Sequence, residues 1–426
     1  MLAKLKHKLV GTKEKKRLVS NIFSLGLLQG TSYILPLLTI PYLVRVLGPE
    51  YFGLLAFAAA FITYFVLLTD YGFNLSATRQ VSIYRDDNNK ISEIFSAVMI
   101  IKAFLALAGF VFMVVIVFSF EKFSRHWELY VVTYGLVVGQ MLFPVWLFQG
   151  MERMKYITYL NISAKVFFTV CIFSFVKEQE DYLLVPLLTA MGFIVSGVLS
   201  LYVVAKKFDV VFSWQDASVL KSQLAEGWHV FLSSMSISLY TVSTTFILGL
   251  FVNNTVVGYF AAADKIVHAV KGLYVPVSQA IYPLVGKKLY EDKEQGLVFI
   301  KKVSWVVGAG MFVISGMLFI LADPIVVILL GEQYQESIFL LKVMAFLPFI
   351  VALGNIFGIQ TMLNLGYKKE FSLFIFVAAI AGLLLSLYLT SLYEAVGTSF
   401  AVLIVEVFIA VMLGLFVRIK IRNRTL

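Results

Sequence analysis

Apolar runs of about 20 residues, each long enough to cross a bilayer core as a helix, recur along nearly the whole chain. They lie near 19–46, 51–83, 92–119, 128–149, 157–176, 182–204, 224–251, 255–285, 303–321, 337–363, 371–391 and 395–417. Short polar segments separate them and no soluble domain interrupts the series. The pattern predicts an all-α polytopic membrane protein with twelve transmembrane helices. The second and eighth runs exceed a straight crossing, so tilt, kinking or projection beyond the bilayer is expected there. The most hydrophilic internal segment, Lys206 to Glu226, splits the series into two sets of six. The expected organisation is a basic tail over 1–18, a six-helix lobe over 19–210, a cytoplasmic linker over 211–223, a second lobe over 224–417 and a basic tail over 418–426.

Composition agrees with the pattern. The chain is 60% hydrophobic and 14% charged, with mean hydropathy +0.89, whereas soluble chains are about 25% charged. A net charge of +10 would suit nucleic acid, but the placement of the charges argues otherwise. The expected outer loops hold only Lys122, Arg125 and Lys177. Six basic residues (Arg45, Lys102, Lys165, Lys265, Lys271, Lys342) lie within spans, Arg79 lies near the inner end of the second, and the rest of the 35 fall in the tails and inner segments. That asymmetry puts both termini in the cytoplasm and makes most of the positive charge topogenic, with no nucleic acid partner. The basic start runs into a span too long for a signal-peptide core and lacks a small-residue cleavage site. One cysteine, Cys171, excludes an intrachain disulfide. No Walker sequence, His-Glu-x-x-His or cysteine cluster occurs, so no metal or cofactor is expected.

The candidate chemistry lies where ionisable groups are costly. Asp264, Lys265, His268 and Lys271 sit deep in the eighth run, and 100° per residue puts Asp264, His268 and Lys271 on one narrow face. A charge at the bilayer centre costs about 3 kcal/mol or more, so such groups usually line a polar cavity. An internal ion cluster that only joins helices is the alternative. Asp264 and His268, at i and i+4, are the candidate cation-coupling pair; a static Asp264–Lys265 or Asp264–Lys271 ion pair is the competing reading. Lys102 lies too deep to snorkel, whereas Arg45 is close enough to the outer loop to do so. Asp70 and Asn74 are one turn apart, and Asp70 can pair with Arg79 or Lys102. Glu152 and Arg153 are expected to pair at the cytoplasmic rim. Glu406 lies mid-span with no assigned role.

The two halves repeat each other weakly. Val44 to Leu47 and Gly53 to Ala58 lie over Gly249 to Val252 and Gly258 to Ala263 at an offset of 205, and Gln149 and Tyr156 match Gln360 and Tyr367 at 211. An even number of spans per half relates the lobes by an axis along the membrane normal. The first helix of each half carries a polar stripe: Asn21, Ser32 and Thr39 with Gln29 nearby, and His229, Ser233, Ser236, Tyr240 and Ser243. Small polar residues also pack helices without touching a ligand. Pro36, Pro41, Pro276 and Pro283 are expected to kink their helices.

Several longer stretches carry a resemblance. They are Leu35 to Gly53, including Pro36, Pro41, Arg45, Gly48 and Gly53; Asp70-Tyr71-Gly72-Phe73-Asn74; Trp146 to Glu152; Glu226 to Ser233; Gln279 to Pro283; and Tyr367 to Ser372. Together and in this order they resemble the O-antigen repeat-unit (polysaccharide) flippases of the multidrug/oligosaccharidyl-lipid/polysaccharide exporter superfamily. The resemblance implies two pseudo-symmetric six-helix lobes around a central cavity that opens alternately to each side of a bacterial inner membrane. It implies an undecaprenyl-diphosphate-linked oligosaccharide as substrate, membrane lipid around it, and a polysaccharide polymerase and chain-length regulator as partners. The substrate-binding candidates are then Arg45, Asn74, Lys102, His229, Ser233, Tyr240, Lys265, Lys271 and Gln279. Asp70, Asp264 and His268 are the ion-coupling candidates. A diphosphate needs cations and a sugar chain needs hydroxyl, amide and aromatic partners. Two rivals remain. A drug or metabolite cation antiporter of the same superfamily would not need several cavity cations. A membrane-embedded polysaccharide polymerase would be expected to carry a large outer loop or an Asp-x-Asp motif, and neither is present.

Overall fold

The computed structural model of the chain describes the backbone of residues 2–422. The side chains of 1–26, Asn21 of the polar stripe included, and those of Gln29, Ser32, Ser233, Ser236 and Tyr240 among others, lie outside the described residues. All regular structure among the described residues is helical. Eight helical stretches are long and apolar enough to cross a membrane, and two of them, Leu38–Ile83 and Lys368–Lys420, contain an internal turn. The helix Asn254–Glu291 has the length but is more polar, because it carries Asp264, Lys265 and Lys271. The chain is a polytopic α-helical membrane protein.

Polar side chains mark several helix starts by accepting otherwise orphaned backbone N–H groups. Asp87 accepts from Lys90 N (3.0 Å) ahead of Asn88–Ser119. Asn253 accepts from Val256 N (3.0 Å) ahead of Asn254–Glu291. Asp292 accepts from Glu294 N (2.8 Å) and Gln295 N (3.1 Å) ahead of Lys293–Ile320.

Two features differ from the hydropathy pattern. The run near 128–149 is two helices, Trp127–Leu142 and Val145–Gly150, parted at Phe143-Pro144, where proline supplies no N–H. The run near 337–363 is three pieces, Glu336–Met344, Leu347–Asn355 and a π-helix over Ile356–Leu363. The helix continues through Pro36, Pro41, Pro276 and Pro283. Non-helical backbone appears instead at Gly48 (φ 69°), at Tyr71 and Gly72 (φ 46° and 75°) and at Glu394 (φ 51°). Gly48 and Glu394 fall between expected spans, whereas hydropathy does not register the Tyr71-Gly72 break, because a short left-handed turn leaves the apolar pattern intact.

The helix Asn88–Ser119 illustrates how one face is chosen. Phe104, Leu107, Val111, Phe112, Val115 and Phe118 are exposed, as a lipid-facing surface requires. Val98, Ile101, Lys102, Ala106, Gly109, Met113 and Val117 are buried. Lys102 therefore belongs to the packed face. The small Gly109 lets Tyr134 come close enough for its hydroxyl to donate to the Ala106 carbonyl at 2.6 Å.

The chain forms two compact units, Met1–Thr39 with Phe61–Met235 and Ile40–Ala60 with Ser236–Leu426. The segment Ile40–Ala60 thus groups by contacts with the second unit, although it lies in the first half of the sequence. The reason is a close helix approach between the two copies of the repeat. A Cβ on Gly53 would stand 1.8 Å from the Asn254 carbonyl oxygen, and one on Gly258 would stand 1.9 Å from the Pro49 carbonyl oxygen. Pro49 and Asn254, like Gly53 and Gly258, are related by the same offset of 205, so the two contacts exchange under the repeat. That is the signature of an isologous contact. The residues of the second match also have similar neighbours, though those neighbours do not keep the offset of 211. Tyr156 meets Phe208 edge-on at 5.8 Å, and Tyr367 meets Phe416 edge-on at 5.3 Å. Gln149 lies 3.4 Å from the Thr78 hydroxyl, while Gln360 donates to the Ser278 hydroxyl at 2.9 Å.

Backbone on backbone leaves no flexible atom to yield. Gly53→Ala and Gly258→Ala are each expected to destabilise by about 2 kcal/mol or more, at or above the usual cost of overpacking. Combined, they should cost less than the sum, because both widen one contact. Gly310→Ala, at a position with nothing within 4 Å, is the neutral control. Thermal unfolding of the purified variants measures all four. A Gly53→Ala protein as stable as the parent would disprove the close contact.

Candidate functional site

Each unit holds a cavity lined by ionisable and polar side chains. In the first, the Asp70-Tyr71-Gly72 break ends one helix and starts Phe73–Ile83. The left-handed Gly72 has no room for a Cβ, which would stand 2.8 Å from the Val230 side chain. Tyr71 stacks on Phe231 at 4.8 Å. The break is thus held by packing, and Asn74 reaches back across it to donate to both oxygens of Asp70 at 2.9 Å. Lys102, 3% exposed, brings its ammonium to 3.4 Å from Asp70. Of the two partners open to Asp70, the structure selects Lys102. These groups line a cavity of about 320 Å³ together with Thr69, Gln140 and Asn161.

In the second unit, Asp264 and His268 meet at 3.5 Å. Among the described residues the ion pair of Asp264 is with His268, in place of the alternative pairings with Lys265 or Lys271. Asp264, His268 and Lys271 line a small cavity with Thr244, Ser386 and Glu406. The narrow helical face read from the sequence thus converges on one cavity. Lys265 is exposed and lies off it. Glu406 joins the cluster from the helical stretch Lys368–Arg422, with Lys271 as its electrostatic neighbour. Its mid-span carboxylate was visible in the sequence, but its companions lie more than 130 positions away. Gln140 and Asn161 carried no such signal, since an isolated amide in a span reads equally as a packing residue.

The remaining candidates lie elsewhere. Arg45 donates to the Ile328 carbonyl, and Gln333 donates to the Val44 carbonyl at 3.0 Å, so that end of the helix is bound to backbone. His229 is exposed, as is Gln279. Next to Gln279 a network missed in the sequence is buried. Asn355 Oδ1 accepts from Tyr274 (3.0 Å) and Ser278 (2.8 Å), and Gln360 donates to Ser278 Oγ at 2.9 Å. Glu152 pairs with Arg85 at 2.9 Å, not with its neighbour Arg153. Arg85 also donates to the Gly150 carbonyl (2.9 Å), which places its fork beside Glu152. Lys342 is bound to Asp323 at 2.6 Å, and its hydrogen bond holds that exposed carboxyl below the usual carboxylate range.

The Asp70–Lys102 pair carries a prediction. Removing one member of a buried pair strands the other charge, at a cost of about 3–5 kcal/mol. Asp70→Asn is expected to destabilise by an amount of that order, and Asp70→Asn with Lys102→Met to recover most of it. Chemical or thermal unfolding of the single and double variants measures the coupling; additive losses would mean that the pair does not exist.

The geometry accords with known proteins. The chain matches the polysaccharide biosynthesis protein family over residues 18–288. A relative from Escherichia coli (strain K12), named "Putative O-antigen transporter", is 34% identical over 408 residues, covering 95% of this chain and 97% of its own. One of the same name from Shigella dysenteriae is 29% identical over 391 residues, covering 91% and 97%. Among solved structures, an inward-facing multidrug resistance MATE family transporter of the MOP superfamily has a TM-score of 0.71 at 14% identity, covering 91% of this chain and 95% of its own. The lipid II flippase MurJ in an inward closed conformation also has a TM-score of 0.71, at 13% identity, covering 94% and 87%. At such identities the structures establish the fold and the sequence relatives establish the family: the chain belongs to the polysaccharide biosynthesis proteins, with a helical membrane fold shared with these MATE and MurJ structures.

Proposed function

We propose that this protein moves undecaprenyl-diphosphate-linked oligosaccharide repeat units from the inner to the outer leaflet of a bacterial inner membrane by alternating access. The observation that carries the reading is the pair of intramembrane clusters, Lys102 with Asp70 and Lys271 with Asp264, His268 and Glu406, in helices that are otherwise apolar. Such groups are expensive in hydrocarbon and are retained where a polar cargo passes. The relatives named for O-antigen transport and the fold shared with a lipid II flippase support the same cargo class.

In this reading twelve helices form two six-helix lobes, 19–210 and 224–417, around a central cavity, with both termini cytoplasmic. The repeat offset and the reciprocal Gly53 and Gly258 contacts support it. Lys271, which lines the cavity of the second unit, attracts the diphosphate. Asn74, Lys102, His229, Ser233, Tyr240 and Gln279 serve the sugar chain. The lipid tail stays in the bilayer. Asp264 and His268 couple transport to a cation gradient, with Glu406 as a third titratable group in their cavity, and Asp70 is the candidate in the first unit. Polymerase and chain-length regulator act on the product outside. A cation antiporter of the same superfamily is the second reading, favoured by the carboxylates but leaving the intramembrane lysines without a cargo.

Reconstitution into liposomes with a lipid-linked oligosaccharide tests the function. The parent protein is expected to expose the labelled oligosaccharide on the far side. Lys271→Ala should slow this roughly tenfold or more, the loss expected of one charge-assisted contact worth about 1.5–3 kcal/mol. A parent protein that flips nothing but exports organic cations would favour the antiporter.

Coupling is tested in the same vesicles under imposed pH gradients. A ligand or proton biases the two access states only through a difference in its affinity for them. Asp264→Asn, His268→Gln and Glu406→Gln are each expected to flatten the response to the gradient while leaving flipping at equal pH. If all three keep the parent response, this cavity does not couple.

A further inference from the structure

The cavity of the first unit holds an unused set of hydrogen-bonding groups. Thr69 is 2% exposed and its hydroxyl has no partner among the described residues. Other buried threonines of this chain satisfy theirs: Thr133 donates to Leu129 O (2.6 Å), Thr158 to Met154 O (3.3 Å), Thr361 to Ile356 O (2.8 Å), and Thr390 pairs with Thr398 (2.8 Å). A helical threonine normally bonds back to the preceding turn. Thr69 does not, and it lines the cavity. Lys102, equally buried, carries three N–H donors, and the bond found for it is the one to Asp70. Asn161 gives an N–H to the Ile157 carbonyl (3.1 Å), which leaves its side-chain oxygen as an acceptor. Gln140 adds an exposed amide.

The charge of this cavity narrows the occupant. Asp70 and Lys102 cancel. A metal cation prefers a shell of acceptors alone and would face the Lys102 ammonium. A phosphate would face the Asp70 carboxylate. What matches intermixed donors and acceptors of zero net charge is a ligand that both gives and takes hydrogen bonds at each of several positions, which is the chemistry of a ring of hydroxyls. Phe143 and Phe193 line the same space and offer apolar surface to the C–H face of such a ring. At about 320 Å³ the cavity lies at the small end of ligand pockets, which start near roughly 300 Å³. It suits one or two sugar units and not a whole repeat.

We infer that the cavity around Thr69, Asp70, Lys102, Gln140 and Asn161 is a binding subsite for an uncharged sugar residue. The inference rests on the flippase reading for its physiological cargo, but the binding can be measured without transport. In this assignment the Asp70–Lys102 pair is a preset donor–acceptor array, Asn74 fixes the carboxylate, and Thr69 and Asn161 select hydroxyl positions.

The test uses the full-length protein in lipid nanodiscs with Cys171→Ser and Gln140→Cys. A water-soluble maleimide labels the introduced thiol, and the probes are the methyl glycosides of glucose, galactose, rhamnose and N-acetylglucosamine. At least one glycoside is expected to slow labelling severalfold, whereas pyrophosphate and sodium chloride leave it unchanged. Adding Thr69→Val should weaken that protection about three- to tenfold, the loss of one neutral hydrogen bond. Because the hydroxyl has no protein partner, this variant is expected to melt no lower than its parent. A thiol that never reacts, labelling indifferent to every glycoside, or equal protection by pyrophosphate would overturn the assignment, the second outcome meaning that only water fills the cavity. The flipping assay separates this result from the function. If Thr69→Val with Asn161→Leu flips at the parent rate, the subsite falls and the flippase stands. If a glycoside protects the thiol of a protein that flips nothing, the subsite stands and the flippase falls.

Discussion

The structure depends on one property of its solvent: hydrocarbon cannot hydrogen-bond or screen a charge. Every polar group within the membrane must therefore find its partner inside the protein or line a wet cavity. Lys102 shows the constraint at work. Its helix exposes a broad phenylalanine, leucine and valine surface, and the one cation beyond its first turn is on the buried face, against Asp70. The partner is in turn held by Asn74 across a break in its own helix. The second unit meets the same demand differently, by gathering Asp264, His268, Lys271 and Glu406 around one small space.

Close packing without large side chains meets the other half of the demand. Apolar side chains gain little by leaving lipid for a helix interface, so association relies on short contacts that small residues permit. Gly53 and Gly258 are the extreme case, each facing a backbone carbonyl of the opposite repeat copy. Because these positions are equivalent in the repeat, one motif duplicated in the chain supplies both surfaces of a self-complementary contact. The carbonyl in each case belongs to the residue four before the partner glycine, so register and spacing are set together.

The two cavities differ in chemistry. The first is a neutral, amide-rich space built around a carboxylate–ammonium pair. The second mixes two carboxylates, an imidazole and an ammonium in a much smaller volume, where adding or removing a proton changes the balance of charge.

The sequence by itself determined the class, an α-helical polytopic membrane protein, because hydropathy is a sum over neighbouring residues and bilayer thickness sets the length of the window. It determined that Asp264, His268 and Lys271 share a face, because helical periodicity converts spacing into direction. It carried the Gly53 and Gly258 equivalence through the offset of 205, though not that the two glycines meet. What only the tertiary structure decided is which distant residues complete each cluster. Asp70 takes Lys102 and not Arg79, Glu152 takes Arg85 and not Arg153, and Glu406 arrives beside Lys271. The breaks at Tyr71-Gly72 and Phe143-Pro144 and the π-helix over Ile356–Leu363 were equally out of reach. They are local departures from helical geometry held by contacts from other helices, and periodicity along one segment carries no information about what will pack against it.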